Sequence, residues 1–372
     1  MRRHLHISAA VGALLSAIVS SSSALAQKTG GILRIPHADS PASMSTHEEA
    51  TRSTATPMMG VFNNLVLFDQ HVPQNTLSSI VPDLAISRSW DEDKTALTFH
   101  LRQNVKWHDG RPFSAKDVKC TWDLLIGKSS EKLRVNPRRS WYRNLDEVTV
   151  DSDSEVTFHL KRPQPFFTAL LASAVSPVYP CHVSPAQMRQ HPIGTGPFKF
   201  VEYRPNESIR LSRNTDYWKP GRPYLDGIEY TIIPNLSTRM LAFTAGKVDM
   251  TFPYGVSIPV LREIKTQAPQ AICETTVATG SRTLIVNQTA PPFDNPELRR
   301  AIVLALDRKP FIDILSEGQG RSAGSCSRPP KVYGECRLRS SKACRVTMRT
   351  CRRTAKKPGP SWRGLATGPI RG

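Results

Sequence analysis

The residues with the clearest potential for chemistry are a serine and a lysine at short spacing. Ser129 and Lys132 match the S-x-x-K motif, in which a serine acts as the nucleophile of acyl transfer. Lys28, Thr29 and Gly30 match the K-T-G triplet that accompanies this motif. The triplet precedes the serine, however, and no Ser-Asp-Asn lies between them. A serine acyl-transfer enzyme is therefore one of two functions considered for this chain, and the order of the motifs argues against it.

His108 and Asp109 are a second pair of reactive side chains, and Gly110 follows them directly. Asp-Gly supplies the backbone conformation of a reverse turn, which explains this triplet better than catalysis or metal binding. Other histidines are scattered without the spacing of metal ligands: His37, His47, His100 and His159. We therefore expect no metal and no cofactor.

The charge of the chain is concentrated at one end. The 372 residues carry a formal charge of +19, of which +13 falls in residues 321–372, leaving +6 for the first 320. Hydrophobic residues make up 39% of the chain, which excludes disorder for most of it. The overall charge therefore does not make the main part of the chain a nucleic-acid binder.

Residues 1–26 have the pattern of a secretory signal peptide. A basic start at Arg2 and Arg3 is followed by an apolar run from Ile7 to Val19 and by an Ala-Leu-Ala ending at residues 24–26. The run is shorter than the roughly 20 residues that span a bilayer. We predict an exported, soluble mature protein that begins near Gln27.

Apolar spacing predicts interleaved strands and helices up to residue 320. Alternation predicts strands at 31–36, 97–101, 155–160, 198–200, 208–211, 228–233 and 248–250. Helical spacing predicts helices at 53–65, 114–125, 165–174, 237–246 and 296–306. Ser114 is a predicted N-cap, with Asp117 in the capping-box position. Such interleaving indicates an α/β or α+β protein.

Several short motifs are spread along the chain between residues 81 and 301. They are 81–85 (VPDLA) with 89–90 (SW), 97–102 (LTFHLR), 106–113 (KWHDGRPF), 192–198 (PIGTGPF), Asn214 with 217–218 (YW), 226–228 (DGI), 245–249 (AGKVD) and 298–301 (LRRA). Together the motifs resemble the periplasmic solute-binding proteins of peptide and nickel ABC importers, the dipeptide/oligopeptide-binding family 5.

The resemblance implies an α/β, periplasmic-binding-protein-like fold, in which two lobes joined by a hinge close on a solute. It places the main subdomain of lobe I at 27–45 and 185–272, and an extra α+β subdomain of lobe I at 46–184. Lobe II would begin at 273–320. Since this lobe normally continues far beyond residue 320 in the family, we expect it to be largely missing.

The resemblance also implies candidate solute-binding residues in lobe I. Met44, His47 and Glu48 follow the first strand. For His47 and Glu48 we favour a solvated surface over contact with the solute. Trp141 and Tyr142 lie in the extra subdomain, where aromatic rings would suit a flexible ligand. Ordinary packing is the alternative for these two.

The function implied by the resemblance is capture of a small solute, with peptide as the first choice, and its delivery to ABC permease subunits in the inner membrane. The protein would act as a periplasmic monomer of a Gram-negative bacterium, without enzymatic activity and without nucleic acid. Peptide, nickel complex, sugar and opine remain open as ligands.

Two cysteines of the extra subdomain, Cys120 and Cys181, form a candidate disulfide, because exported proteins retain such bonds. A buried thiol on a helix face is the alternative for Cys120. If the two cysteines pair, Cys273 remains unpaired.

Residues 321–372 change character, with four cysteines and almost no apolar periodicity. A basic disordered tail is expected here, and a nucleic-acid arm is a weaker alternative. A third hypothesis is a frameshift, because GC-rich codons chosen for 321–336 give a Pro-rich segment like that of the family in a shifted frame. Sequencing the gene would test this.

Overall fold

The computed structural model describes residues 29–72, 75–251, 256–273 and 284–316. These residues divide into two compact units, one of 29–69 and 76–251 and the other of 70–72, 75, 256–273 and 284–316. The predicted signal peptide and the basic tail lie outside the described residues. Over the described ranges, no helix combines the length and the apolar character needed to span a bilayer.

The elements of the first unit follow one another closely along the chain. They are β1 (Ile32–His37), α1 (Arg52–Met58), β2 (Val66–Phe68), β3 (Ile80–Pro82), β4 (Ala85–Trp90), β5 (Ala96–Leu101), α2 (Ala115–Ile126), β6 (Leu145–Ser152), β7 (Glu155–Leu160), α3 (Phe167–Leu171), α4 (Pro185–Gln190), β8 (Phe198–Arg204), β9 (Ser208–Arg213), β10 (Gly227–Ile232) and α5 (Leu236–Thr244). Short 3-10 helices occur at Leu77–Ser79 and Arg139–Tyr142. The second unit contains α6 (Ile258–Gln267), α7 (Pro296–Ala305) and α8 (Arg308–Ser316).

The first sheet of this unit joins the start of the chain to strands nearly 200 residues later. Its strand order is β1-β10-β9-β8, with β1 parallel to β10 and the other pairs antiparallel. Its buried side chains pack with residues from the adjoining segments in a cluster that we call the small core: Ile35, Met44, Met58, Val61, Phe62, Tyr179, Met188, Phe198, Phe200, Ile209, Leu211 and Tyr230.

A second sheet, with antiparallel strands in the order β4-β5-β7-β6, supports a larger apolar cluster, the large core. Alternation along β5 directs Leu97, Phe99 and Leu101 inward, as the spacing predicts. Phe158 of β7 meets Phe99 edge to face, with ring centroids 5.6 Å apart. Trp122 of α2 packs on Phe158 at 5.0 Å, so that one helix covers the sheet.

Helix α2 begins and ends as its sequence indicates. The backbone N–H of Ser114 donates to the carboxylate of Asp117 at 2.9 Å, which is half of the predicted capping box. The helix ends at Gly127, which has a φ of +85°, the left-handed conformation that glycine adopts without a Cβ penalty. Both ends of the helix are therefore set by local residues.

Two predicted elements differ from the structure. The helix predicted at 53–65 ends at Met58, and the chain then turns so that Val61 and Phe62 enter the small core. No strand forms at 248–250. Asp249 instead exchanges two hydrogen bonds with Arg34 of β1, one through its backbone N–H and one through its carboxylate.

The small core also crosses the predicted subdomain boundaries. Phe62 and Tyr179 pack in this core beside β8 and β9, although the range 46–184 is expected to form the extra subdomain. The first unit includes residues up to 251 and the second includes residues from 256 onward, while the start of lobe II at 273 stays a prediction.

The Gly-Thr-Gly motif at 194–196 is explained by close backbone contact. A Cβ on Gly194 would lie 1.9 Å from the carbonyl oxygen of Val61, and a Cβ on Gly196 would lie 2.6 Å from it. The Gly196 N–H donates to this same oxygen at 2.9 Å. Only glycine permits the two backbone segments to approach this closely.

We expect Gly194→Ala to destabilise the first unit by roughly 2 kcal/mol or more, because backbone atoms must move to admit the methyl group. Urea unfolding followed by tryptophan fluorescence measures this loss. Gly60→Ala is the matched control, because the nearest atom to its Cβ would belong to the Phe198 ring, at 3.3 Å, which can shift, and the Pro57 carbonyl oxygen would lie at 3.9 Å, an ordinary contact distance. Equal losses in the two variants would contradict the explanation.

Candidate functional site

The segment that follows β1, which we call the 43–49 loop, is turned into the protein. Met44, Ser45 and His47 have no exposed surface, and Glu48 is 4% exposed. The expectation of a solvated surface for His47 and Glu48 is therefore wrong. Partners distant in sequence draw these side chains inward, which the local sequence does not indicate.

His47 is held by the segment around Tyr179. Its Nε2 lies 2.9 Å from the carbonyl oxygen of Pro177, so Nε2 carries the hydrogen that is donated. Its ring packs on Tyr179, with centroids 4.3 Å apart. Burial lowers the pKa of His47 to about 3, so the imidazole is neutral at physiological pH.

Glu48 forms a buried ion pair. Arg189 of α4 donates from Nη1 to both carboxylate oxygens, at 2.9 and 3.2 Å. The backbone N–H of Arg134 donates to the same carboxylate. Met44, at the start of the loop, packs in the small core, and its N–H donates to the Arg189 carbonyl at 2.9 Å. Arg189 therefore holds the loop at two points.

Arg138 joins the two predicted parts of the site. Its guanidinium donates to the carbonyl oxygens of Thr46 at 2.6 Å and Glu49 at 2.8 Å. Its backbone carbonyl accepts from the N–H of Trp141 at 2.9 Å, within the turn that leads into the 3-10 helix Arg139–Tyr142. Burial lowers the pKa of Arg138 from its ordinary value. The sequence does not single out this residue, and its only local signal is its position three residues before Trp141.

The two predicted aromatic residues of the site, Trp141 and Tyr142, lie in different environments. Trp141 is 39% exposed. Tyr142 is buried in the large core, where its hydroxyl lies 2.8 Å from Ser176 Oγ and its ring meets Trp122 edge to face. Burial raises the pKa of Tyr142. Tyr142 is therefore a core residue, which is the alternative to solute contact given above. Among the predicted site residues, Trp141 is the one with a large solvent-exposed surface.

The His-Asp-Gly triplet forms a turn and also holds the glycine motif. The Gly110 N–H donates to the Trp107 carbonyl at 2.8 Å, and Gly110 has a φ of +91°. His108 Nδ1 accepts from the Gly194 N–H at 3.2 Å, and its Nε2 donates to the Gly196 carbonyl at 3.0 Å. Burial lowers the pKa of His108 to about 4, which fits the neutral ring that these two bonds require.

The serine motif lacks the contact that acyl transfer needs. Lys132 Nζ donates to the backbone carbonyl of Ser129 at 3.0 Å, not to its hydroxyl. The Ser129 hydroxyl accepts from the N–H of Glu131 at 3.2 Å. A lysine that activates a serine must lie within hydrogen-bond reach of the hydroxyl. This geometry gives the enzyme alternative no support.

Cys120 of α2 and Cys181 form a disulfide, with Cα atoms 5.6 Å apart, while Cys273 is a free thiol. Among the residues that the structure describes, no group of three or more His, Cys, Asp or Glu is arranged to hold a metal ion.

A groove of about 530 Å³ also opens on the first unit. It contains none of the predicted site residues and is lined by Ile86, Ser87, His100, Leu101, Arg102, Gln103, Val105, Ser154 and Trp218.

Comparison with known proteins identifies the class and then the family. The fold is that of periplasmic binding proteins: the chain superimposes on DppA of Helicobacter pylori, solved with the peptide STSA, with a TM-score of 0.63. Sequence identity is 24%, over 78% of this chain and 59% of that one. The profile of the bacterial extracellular solute-binding proteins, family 5 Middle, matches residues 79–335. The chain belongs to this family.

Curated relatives are about a quarter identical to this chain over the aligned residues. The glutathione-binding protein GsiB of Escherichia coli O157:H7 is 26% identical over 263 residues, 68% of this chain and 48% of that protein. The di/tripeptide-binding protein 3 of Pseudomonas aeruginosa is 28% identical over 287 residues, 71% and 52% of the two chains. This chain therefore spans about half the length of the curated relatives it matches.

We expect Arg189→Met to lower the free energy of unfolding by about 3 kcal/mol, because it leaves the buried Glu48 carboxylate without its cation. Urea unfolding measures the loss, and adding Glu48→Gln should recover part of it. Arg204→Met is the control, since Arg204 pairs with Glu207 on the surface and such pairs contribute about 0–1 kcal/mol. A loss no larger than that of the control would contradict the buried pair.

The stability of the first unit should fall in acid, partly through His108. Because its pKa is about 4 in the folded state and 6.5 in the unfolded state, the unfolded chain binds the extra proton between these values. The contribution of His108 to the free energy of unfolding is fully present above pH 6.5. It is lost as the pH falls toward 4, and the loss reaches roughly 3 kcal/mol.

Urea unfolding between pH 7 and pH 4.5 measures this dependence. His108→Gln should reduce the slope of stability against pH. An unaltered slope in His108→Gln would show that His108 does not contribute.

Proposed function

We propose that the protein is the extracytoplasmic substrate-binding component of an ABC importer, which captures peptides or a related small solute and delivers them to permease subunits in the inner membrane. The family and the names of its relatives, which bind glutathione and di- or tripeptides, support this role. The protein acts as a periplasmic monomer of a Gram-negative bacterium and catalyses no reaction.

The contacts of Arg138 indicate which residues would bind the solute. Arg138 fixes the buried 43–49 loop to the segment that presents Trp141, so the exposed indole is held on a fixed support without a ligand. Such preorganisation lowers the entropy cost of binding a flexible solute. An indole contacts apolar and peptide groups alike, as capture of varied small solutes requires.

The side chains of the loop leave little for direct recognition. His47 and Glu48 are buried and bonded to protein groups, and Tyr142 is part of the large core. Solute contact on this side is therefore assigned to the exposed indole of Trp141, which the loop supports through Arg138.

We expect millimolar di- and tripeptides, glutathione included, to raise the melting temperature of the purified chain, since a ligand that binds the folded state stabilises it. Trp141→Ala should reduce the rise, because loss of an aromatic anchor weakens binding by roughly 1 kcal/mol or more, about fivefold in Kd. Thermal shift over a concentration series measures both effects.

Phe166→Ala is the matched control, because Phe166 is a similarly exposed aromatic residue, 43% exposed, outside the site. It should leave the solute-dependent rise unchanged. Absence of any rise with peptides, sugars, opines or nickel would contradict the proposed function, and an undiminished rise in Trp141→Ala would contradict the assigned site.

A further inference from the structure

The disulfide between Cys120 and Cys181 lies next to the segment that supports the 43–49 loop. It links α2 to residues 177–181, which we call the strap, across a sequence separation of 61. Cys181 is exposed and Cys120 is partly exposed. An external thiol therefore has access to the bond.

The strap is bound to α2 by hydrogen bonds as well as by the disulfide. The hydroxyl of Thr121 accepts from the Tyr179 N–H at 2.9 Å and lies 3.2 Å from the Tyr179 carbonyl. The Asp117 carboxylate accepts from the Cys181 N–H at 2.9 Å. These bonds and the disulfide involve one face of the helix and hold the strap in one position.

The strap in turn provides the partners of His47. The Pro177 carbonyl accepts from His47 Nε2, and the Tyr179 hydroxyl accepts from the His47 N–H at 3.3 Å. The Tyr179 ring packs between His47, at 4.3 Å, and Phe62, at 5.1 Å. A displacement of the strap would therefore remove both hydrogen bonds of His47 together with its ring contact.

We propose that the Cys120–Cys181 disulfide controls the order of the 43–49 loop through the strap, which makes the loop sensitive to redox conditions. A dithiol reduces the disulfide by exchange: its two sulfurs form a new disulfide, and their two electrons and two protons convert both cysteines to thiols. The covalent link between α2 and the strap is then lost. The strap gains freedom, and the loop loses the fixed partners of His47.

Hydrogen exchange of the purified full chain, with and without dithiothreitol, tests the proposal. On reduction, the backbone amides of residues 44–49 and of Val178, Tyr179 and Cys181 in the strap should exchange faster by roughly tenfold or more, because local opening becomes easier. Strands β6 and β7 should exchange at an unchanged rate. Mass spectrometry after alkylation verifies that Cys120 and Cys181 are reduced.

The double variant Cys120→Ser/Cys181→Ser should show the faster exchange without dithiothreitol and should not respond to it. Cys273→Ser is the control and should behave as the wild type in both conditions. Unchanged exchange of the loop on reduction would overturn the proposal, and so would a uniform increase across the first unit. If the double variant does not fold, the reduced wild type provides the same comparison.

A second measurement rests on the proposed function. The solute-dependent rise in melting temperature should be smaller for the reduced chain than for the oxidised chain. An equal rise in both forms, with unchanged exchange, overturns the redox inference alone. No rise in either form contradicts the proposed function, while the exchange measurement still decides the inference.

Discussion

The rest of the first unit depends on the hydrogen bonds and the ion pair that hold the buried carboxylate of Asp83. Asp83 is 2% exposed and accepts hydrogen bonds from Lys219 Nζ at 3.0 Å, Asn63 Nδ2 at 3.0 Å and the Asn64 N–H at 3.1 Å. Burial raises the pKa of Asp83, while Lys219 and the hydrogen-bond donors oppose this rise. Since burial of a charge costs several kcal/mol, the carboxylate is tolerated only with this set of donors in place.

The same network connects the small core to the large core. Asn63 Oδ1 accepts from Thr195 Oγ1 at 3.1 Å and from Trp218 Nε1 at 3.4 Å, and Arg102 donates to the Asp83 carbonyl at 2.6 Å. Motif segments that are far apart in sequence meet here: 81–85, 97–102, 192–198 and 214–218. These motifs therefore identify the family through the junction of its first lobe, which explains why they indicate the fold more clearly than the ligand.

The features that the sequence predicts are those with a local cause. The alternation of apolar residues predicts β5 and β7. The Ser114–Asp117 cap predicts the start of α2, and Gly127 ends this helix in the structure. The site was predicted less well, because the orientation of a loop residue depends on distant partners. Glu48 is drawn inward by an arginine 141 residues later, and the loop is bound by Arg138, 89 to 92 residues away. No local pattern carries such information.

The burial of the polar side chains has a consequence for selectivity. A loop whose histidine is neutral and whose carboxylate is already paired offers no uncompensated charge, so it cannot strongly prefer acidic over basic solutes. Under the proposed function, the indole of Trp141 is the exposed group on this side, and an indole discriminates weakly among solutes by charge. The proposed function therefore requires charge selectivity to arise from residues outside this loop.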